Sequence, residues 1–280
     1  MEWRAEALVL NDSSFGEADA LVDVLTRDYG RYRGFVKGGQ GRRIAPSLQP
    51  GNFLSVHWRS RIAENLGRFT VEPLSSPLAA LLDDGVRLKA LSAMVSVLVA
   101  SMPERAVHPS LYDLVCSCLT VIADGRYEQI GRALVVLEMH ILAELGYGLA
   151  LDVCAATGSE ANLAFVSPKT GRAVSLEAGM PYKGRLLPLP AFLRASYAED
   201  TSTTIPDTGS AVPDTRAIST ALAIEESRVR VAELEDALDG FRLTGYFLER
   251  NVWVASTRRE PSGRARFLAH LYKLSLSAAT

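Results

Sequence analysis

Alternating hydrophobic and polar residues predict a series of short β-strands at the start of the chain. A strand places successive side chains on opposite faces, so alternation indicates a strand with one buried face. The pattern recurs through the first 76 residues, divided by glycine and proline turns such as Pro50-Gly51. The predicted strands are residues 3–10, 20–26, 31–37, 52–61 and 66–72. Five short strands so divided are typical of a small closed β-barrel of the OB-fold type.

The hydrophobic period changes to about 3.6 residues at Pro77, which indicates helices from there onward. Residues 77–150 contain successive hydrophobic stripes and predict a helical domain of three packed helices. The third stripe ends at Gly146, a residue suited to the left-handed conformation that often follows the end of a helix.

The helical pattern stops after residue 150 and returns only near the C-terminus. Residues 151–190 predict a small irregular subdomain, in which 163–166 and 172–175 pair as a hairpin. Residues 191–215 become rich in Ser, Thr, Asp and Pro and predict a flexible insertion. Residues 216–280 predict C-terminal helices that pack on the helical domain. The fold class is therefore multidomain α+β, with the barrel first and the helices after it.

The same alternation assigns a direction to each side chain of the barrel. In the third strand Arg31, Arg33, Phe35 and Lys37 share the face that we expect to be solvent-exposed. Tyr32 and Trp58 fall on the opposite, inward faces of their strands. Outward positions of the fourth and fifth strands add further basic residues, namely Arg59, Arg61 and Arg68.

Basic residues are concentrated in this barrel although the whole chain is slightly acidic. Residues 27–68 contain nine basic and two acidic residues, whereas the formal net charge of the chain is -2. OB-folds bind nucleic acid with cations that follow the phosphates and aromatic faces that stack on the bases. The charge could instead serve only to solvate the outer face of a small barrel. The predicted phosphate-binding residues are Arg27, Arg31, Arg33, Lys37, Arg42, Arg43, Arg59, Arg61 and Arg68, with Phe35 as the stacking residue.

Motifs for catalysis and metal binding are not found in the sequence. Cys116 and Cys118 lie about 200° apart around a predicted helix and so cannot share a metal ion. Gly38-Gly39-Gln40 matches the Gly-Gly-Gln motif of release factors, but it follows a basic strand directly, where a glycine-rich turn is expected. No glycine motif for binding nucleotide phosphates occurs. We therefore predict that the protein is not an enzyme.

The cellular location is predicted from the start of the chain and from its cysteine content. Met-Glu-Trp-Arg begins no apolar signal segment, and three cysteines in 280 residues fit a reducing compartment. We expect a cytoplasmic protein.

Short segments spread over most of the chain resemble, in their order, those of the RecO family of bacterial recombination mediators. They are Trp3-Arg4-Ala5-Glu6-Ala7-Leu8-Val9-Leu10, Gly16-Glu17, Thr26-Arg27-Asp28-Tyr29-Gly30-Arg31, Val36-Lys37-Gly38-Gly39, Leu48-Gln49-Pro50-Gly51-Asn52, Trp58-Arg59-Ser60-Arg61, Leu137-Glu138, Leu142-Ala143-Glu144-Leu145-Gly146-Tyr147, Leu151-Asp152-Val153-Cys154 and Leu243-Thr244-Gly245-Tyr246-Phe247-Leu248. The resemblance implies an N-terminal OB-fold, a helical domain and a non-enzymatic role in recombinational DNA repair on the nucleoid.

The resemblance also implies ligands and partners. Members of this family bind single- and double-stranded DNA, anneal complementary strands, and with RecR help to load RecA onto strands coated by single-strand-binding protein. Many carry a four-cysteine zinc site after the Leu-Gly-Tyr segment. Here Cys154 is the only cysteine after the predicted helices of residues 77–150, so residues 151–190 are a zinc-finger-like segment without zinc ligands and we expect no metal.

Two alternatives stay open at this point. A C-terminal cluster of Arg258, Arg259, Arg264 and Arg266 beside apolar residues would suit the acidic, apolar tail of single-strand-binding protein, or it could be a solvated helix end. An OB-fold face also contacts backbone and bases of either nucleic acid, so an RNA- or ribosome-binding module is the second candidate.

Overall fold

The computed structural model describes residues 1–62, 66–194, 215–255 and 259–278, with residues 215–230 and 278 described by their backbone alone. The first domain is a closed barrel of five strands, which are β1 (Glu2–Phe15), β2 (Asp19–Thr26), β3 (Gly30–Val36), β4 (Phe53–Arg59) and β5 (Gly67–Ser75). Around the barrel their order is β1-β2-β3-β5-β4, with β3 and β5 parallel and the other pairs antiparallel. This topology confirms the predicted OB-fold-like barrel.

The barrel core consists of the residues that alternation directs inward. Tyr32 packs against this core, and Trp58 is buried in it at 1% exposure, as predicted. Trp58 lies flat over Gly67, where an added Cβ would come within 2.0 Å of the indole Nε1. Only glycine leaves that space, so the start of β5 can approach the aromatic core. The buried apolar residues are Ala7, Val9, Ala20, Val22, Val24, Val36, Leu48, Leu54, Val56, Trp58 and Phe69.

Seven helices follow in the described residues, and most of them enclose a second hydrophobic core. The helices are α1 (Pro77–Leu81), α2 (Gly85–Ser101), α3 (Pro109–Asp124), α4 (Tyr127–Glu144), α5 (Leu176–Gly179), α6 (Thr215–Leu248) and α7 (Ser262–Ala278). The three packed helices predicted within residues 77–150 correspond to α2, α3 and α4, and Gly146 has the expected positive φ of 83°. The two long C-terminal helices pack on these helices, α6 against α4 and α7 against α2. In the described part of the chain, no helix combines the length and apolar character needed to span a membrane.

A small sheet is formed by the part of the chain between α4 and α6. The predicted hairpin is confirmed by β6 (Leu163–Val166) and β7 (Ala173–Ser175), which pair antiparallel. A third strand, β8 (Leu187–Pro188), pairs with β6 and was not predicted, because two residues that include a proline show no alternation. Most of the predicted flexible insertion, residues 195–214, lies outside the described residues.

The outer surface of the barrel is not solvent-exposed throughout, because the helical domain covers part of it. Leu8, Leu10 and Leu25 point away from the barrel core and belong to the hydrophobic core of the helices. At the same junction Gly30 has a positive φ of 72°, and a Cβ there would lie 1.9 Å from the carbonyl oxygen of Ala106. The two domains therefore meet in a tight and largely apolar contact.

Arg31 lies in this contact between the domains, so its predicted solvent exposure is wrong. Its side chain is on the outward face of β3, as the alternation requires, but the residue is only 6% exposed. The guanidinium binds the buried Asp23 carboxylate, with Nε 2.9 Å from Oδ1. Its Nη1 donates to the carbonyl oxygens of Val99 and Met102, each at 2.9 Å, at the C-terminal end of α2. Arg31 thus caps a helix, and the prediction that it binds phosphate is wrong. We call the contact of Arg31 with Asp23, Val99 and Met102 the buried joint.

We predict that Arg31→Ala lowers the free energy of unfolding by about 3–5 kcal/mol, because it leaves Asp23 as an uncompensated buried charge. Arg27→Ala is the matched control, since Arg27 also joins the barrel to the helices through an aspartate, Asp113, but with 53% of its side chain exposed. Its effect should be much smaller. Urea denaturation of both variants measures the difference, and equal losses would contradict the assignment of Arg31 as the buried joint.

Candidate nucleic-acid interface

The strand register places an aromatic residue and several cations side by side on the exposed outer face of the barrel. Phe35 on β3 lies directly opposite Arg68 on β5, and Arg68 lies opposite Arg59 on β4. Arg33 precedes Phe35 by two residues on the same face of β3, about 7 Å away along the strand. Lys37 follows it immediately after the strand. We call Arg33, Phe35, Lys37, Arg59 and Arg68 the barrel face.

A second aromatic residue extends the barrel face and was missed by the sequence analysis. Phe15, at the end of β1, stacks on Phe35 with ring centroids 6.0 Å apart and an angle of 23° between planes, and it is 43% exposed. Two stacked and accessible rings suit base stacking. The register of β1 shifts between Val9 and Asn11, so alternation breaks there and the polar residues that follow were not assigned to the strand.

The cations of the barrel face form only exposed ion pairs or none with the described residues. The Arg33 Nη1 lies 3.4 Å from Glu104 Oε1, and the Arg59 Nε lies 2.8 Å from Glu2 Oε2, with all four side chains at least 40% exposed. Exposed ion pairs of this kind contribute little stability, so a phosphate can replace the carboxylate. Lys37 and Arg68 are exposed and form no ion pair with any residue that the structure describes.

The other predicted phosphate-binding residues lie outside the barrel face. Arg42 and Arg43 are exposed on the connection from β3 to β4, and Arg61 is exposed after β4. Arg27 binds both carboxylate oxygens of Asp113 on α3, at 2.9 and 3.0 Å, and this guanidinium lowers the pKa of Asp113. These four residues are accessible to a polyanion but do not continue the row of the barrel face.

The Gly38-Gly39-Gln40 segment is a structural turn, as predicted. Gly38 has a positive φ of 67°, and its N–H donates to the Asp19 carboxylate at 2.7 Å. The Gln40 side chain donates to the carbonyl oxygen of Asp19 at 2.8 Å. The glutamine is therefore used to fix the end of β3 against the turn between β1 and β2.

The predicted C-terminal cluster does not form one surface. Arg264 is only 3% exposed, and its Nε donates to Glu138 Oε1 at 2.7 Å. Its Nη2 donates to the carbonyl oxygen of Phe241 at 2.6 Å, so it cannot bind an acidic tail. Arg266, about 200° further round α7, is exposed like Arg259 before the helix. Arg258 lies outside the described residues.

The donor set around Cys154 does not fit a zinc ion. The Cys154 thiol lies 3.5 Å from the Ser175 hydroxyl and accepts the N–H of Ser175 at 3.2 Å. Burial raises the pKa of this thiol, but hydrogen bonds from Thr157, Ser175 and the backbone outweigh it and lower the pKa to about 6. Within the ranges that the structure describes, no three His, Cys, Asp or Glu side chains converge to hold a metal. Neutral hydroxyls are poor replacements for thiolates as zinc ligands.

One cluster of titratable residues lies away from the barrel, where α3 begins and α4 ends. The Glu144 carboxylate accepts from Ser110 at 2.8 Å and contacts His108 Nδ1 at 2.7 Å. These hydrogen bonds lower the pKa of Glu144. His140 lies 3.2 Å from the same carboxylate. Because Glu144 receives all of these contacts, the cluster fastens two helix ends together.

Both parts of the chain are similar to known proteins. The family model for the N-terminal domain of recombination protein O matches residues 1–77, and the model for its C-terminal domain matches residues 82–206. The chain is 40% identical over 270 residues to a DNA repair protein RecO of Methylorubrum extorquens, covering 96% of this chain and 98% of the relative. It is 38% identical over 280 residues to that of Methylocella silvestris, covering 100% of both. It is 39% identical over 273 residues to that of Mesorhizobium japonicum, covering 98% of this chain and 94% of the relative.

We predict that replacing Lys37, Arg59 and Arg68 by Ala makes the salt dependence of single-strand binding shallower. Each lost phosphate contact lowers the slope of log affinity against log salt by about 0.7, so three contacts give a change of about 2. Fluorescence anisotropy with labelled oligothymidine between about 50 and 200 mM salt would measure the slope. The triple replacement of Lys169, Lys183 and Arg185, which are exposed on another part of the molecule, removes the same charge. An equal change in that variant would contradict the assignment.

We further predict that Phe35→Ala lowers single-strand affinity at every salt concentration and leaves the slope unchanged. Loss of base stacking costs about 1–3 kcal/mol per base and involves no counterion. Phe15→Ala should act in the same direction, because the two rings stack on each other. The same anisotropy titrations provide the measurement, and a changed slope with unchanged low-salt affinity would argue against stacking.

Proposed function

This chain belongs to the RecO family of DNA repair proteins, and from that premise we propose that it is a recombination mediator. In this role it binds single- and double-stranded DNA and anneals complementary strands. It acts with RecR to help load RecA onto strands coated by single-strand-binding protein. It has no active site of its own and works on the nucleoid without a bound metal.

The arrangement of the barrel face carries this proposal. Annealing requires a surface that reduces the repulsion between two phosphate backbones without selecting a base sequence. Exposed guanidinium and ammonium groups beside stacked phenyl rings meet that need, since the cations neutralise phosphates and every base has a face that can stack. Arg59 and Arg68 lie directly opposite each other, and a phosphate bound between them would reduce the repulsion between these like charges.

Family membership supports the proposed partners, and the buried contacts of the structure limit which residues can bind them. Arg264 is neutralised inside the protein, so α7 does not offer the predicted four-arginine site for the tail of single-strand-binding protein. The barrel face is one continuous outer surface and can bind a strand that single-strand-binding protein has released. The contacts between Cys154 and Ser175 support the proposal that residues 151–190 fold without zinc.

We predict that the purified protein accelerates annealing of complementary strands coated with single-strand-binding protein, with a chelator present throughout. The variant lacking Lys37, Arg59 and Arg68 should anneal about tenfold more slowly, because fewer phosphates are neutralised on each strand. The variant lacking Lys169, Lys183 and Arg185 should keep the wild-type rate. Annealing is followed by the fluorescence of a donor and an acceptor dye on the two strands.

Competition by RNA of matched length distinguishes the proposed mediator from an RNA-binding module. Labelled DNA should be displaced by unlabelled DNA at least as readily as by RNA. A clear preference for RNA, or wild-type protein that leaves the annealing rate unchanged, would overturn the proposal.

A further inference from the structure

A cleft with several exposed arginines lies between the barrel and the helices. It encloses about 710 Å³, and its walls come from β3, from α2 and from the segment that leads into α7. Arg33 of the barrel face stands on one wall, and Arg259 and Arg266 stand on the other. We call this feature the interdomain cleft. It brings together residues that the sequence analysis assigned to two separate clusters, more than 220 positions apart in the chain.

The charges that line the interdomain cleft do not balance. Among the lining residues that the structure describes, Asp23 is the one acidic residue, and it is neutralised by Arg31 in the buried joint. Three arginines are left facing the open space. Arg266 has a long contact to a hydroxyl, with Nη2 3.4 Å from Ser92 Oγ, and neither it nor Arg259 forms an ion pair with a described residue. Arg33 has its exposed partner Glu104. The cleft is therefore a concentrated positive site.

The interdomain cleft is also continuous with the barrel face. Arg33 belongs to both, and Phe35 follows it on the same side of β3 at the spacing of two strand residues, about 7 Å. A strand that stacks a base on Phe35 would pass Arg33 next and then enter the cleft between the domains. Asp23 is the one carboxylate in the described lining of the cleft, and it is already paired with Arg31. A phosphate in the cleft would therefore meet no unpaired negative charge among the described lining residues.

We infer that the interdomain cleft binds the phosphate backbone of a single DNA strand that continues from the barrel face. This inference rests on the proposed function and adds a second domain to its binding site. A guanidinium group can bind two phosphate oxygens at once with two parallel N–H groups. Three such groups, those of Arg33, Arg259 and Arg266, line this cleft. The bound strand therefore covers more nucleotides than the barrel alone holds, and its binding joins the barrel to α7.

The shape of the walls favours a nucleic-acid backbone over an acidic peptide. The apolar part of the lining is made of short side chains and prolines, namely Leu10, Pro50, Val95, Val99, Ala100 and Pro261. None of the described lining residues is aromatic, so no ring forms a deep pocket in which a large hydrophobic residue of a peptide tail could anchor. A nucleic-acid backbone can bind in the cleft through the three guanidinium groups alone, because the space between them is open.

The test compares strands of two lengths with a variant in which Arg259 and Arg266 are replaced by Ala. Both residues are exposed, so the fold should persist, and replacing both by Lys keeps the charge as a second variant. The matched control replaces Lys183 and Arg185, which are also exposed. The probes are labelled oligothymidines of about 8 and about 30 nucleotides, chosen because a single OB-fold covers about 4–16 nucleotides.

We expect Arg259→Ala with Arg266→Ala to leave binding of the short strand unchanged. For the long strand the slope of log affinity against log salt should become shallower by about 1.4, from two lost contacts of about 0.7 each. The lysine variant should recover most of this slope, and the control variant should match the wild type. Thermal melting of each variant verifies that it is folded.

Other outcomes overturn the inference in distinguishable ways. Wild-type protein that binds neither strand removes the proposed function and the inference together. Normal wild-type binding with an unchanged slope in the arginine-to-alanine variant removes the inference alone. Loss of binding to an acidic, apolar peptide in that variant, with strand binding intact, would assign the interdomain cleft to a protein tail instead.

Discussion

A single buried guanidinium, that of Arg31, determines how the barrel meets the helices. A charge enclosed between two domains is tolerated only when its hydrogen bonds are satisfied, and here one aspartate and the last carbonyl groups of α2 satisfy them. The cation also lies at the negative end of the α2 dipole. Because these partners come from both domains, the contact fixes the position of the barrel on the helices. It also leaves the next residue of the row, Arg33, at the mouth of the interdomain cleft.

Arg264 plays the equivalent part for the C-terminal helices. Its guanidinium is bound by Glu138 on α4 and by the carbonyl oxygen of Phe241 on α6, and it lies over the Phe241 and Trp253 rings at 5.3 and 5.7 Å. This network holds the first turn of α7 against two other helices. Arg266 is then directed to the opposite side of α7, where it faces the cleft. Each buried arginine therefore stabilises a contact between elements and positions an exposed arginine that can bind a ligand, Arg33 beside Arg31 and Arg266 beside Arg264.

Hydrogen bonds and apolar packing hold the small sheet and the loop that precedes it. Cys154, Ser175 and the backbone of residues 154–159 form local hydrogen bonds, and Phe165 and Val174 pack into the helical core.

The sequence by itself determined most of the elements and, in the regular strands of the barrel, the face on which each side chain lies. Alternation assigned Tyr32 and Trp58 to the barrel core and Arg33, Phe35 and Arg68 to its outside, because the period of a strand is a local property. The turn residues Lys169-Thr170-Gly171 predicted the hairpin. Alternation missed Phe15, where a register shift broke the pattern. Only the tertiary structure decided which outward faces are covered. Arg31 and Arg33 have the same parity, but Arg31 is buried by carbonyl groups 68 and 71 positions away along the chain. Contacts between distant segments leave no periodic signal, so neither the buried joint nor the cleft that it shapes could be predicted from local pattern.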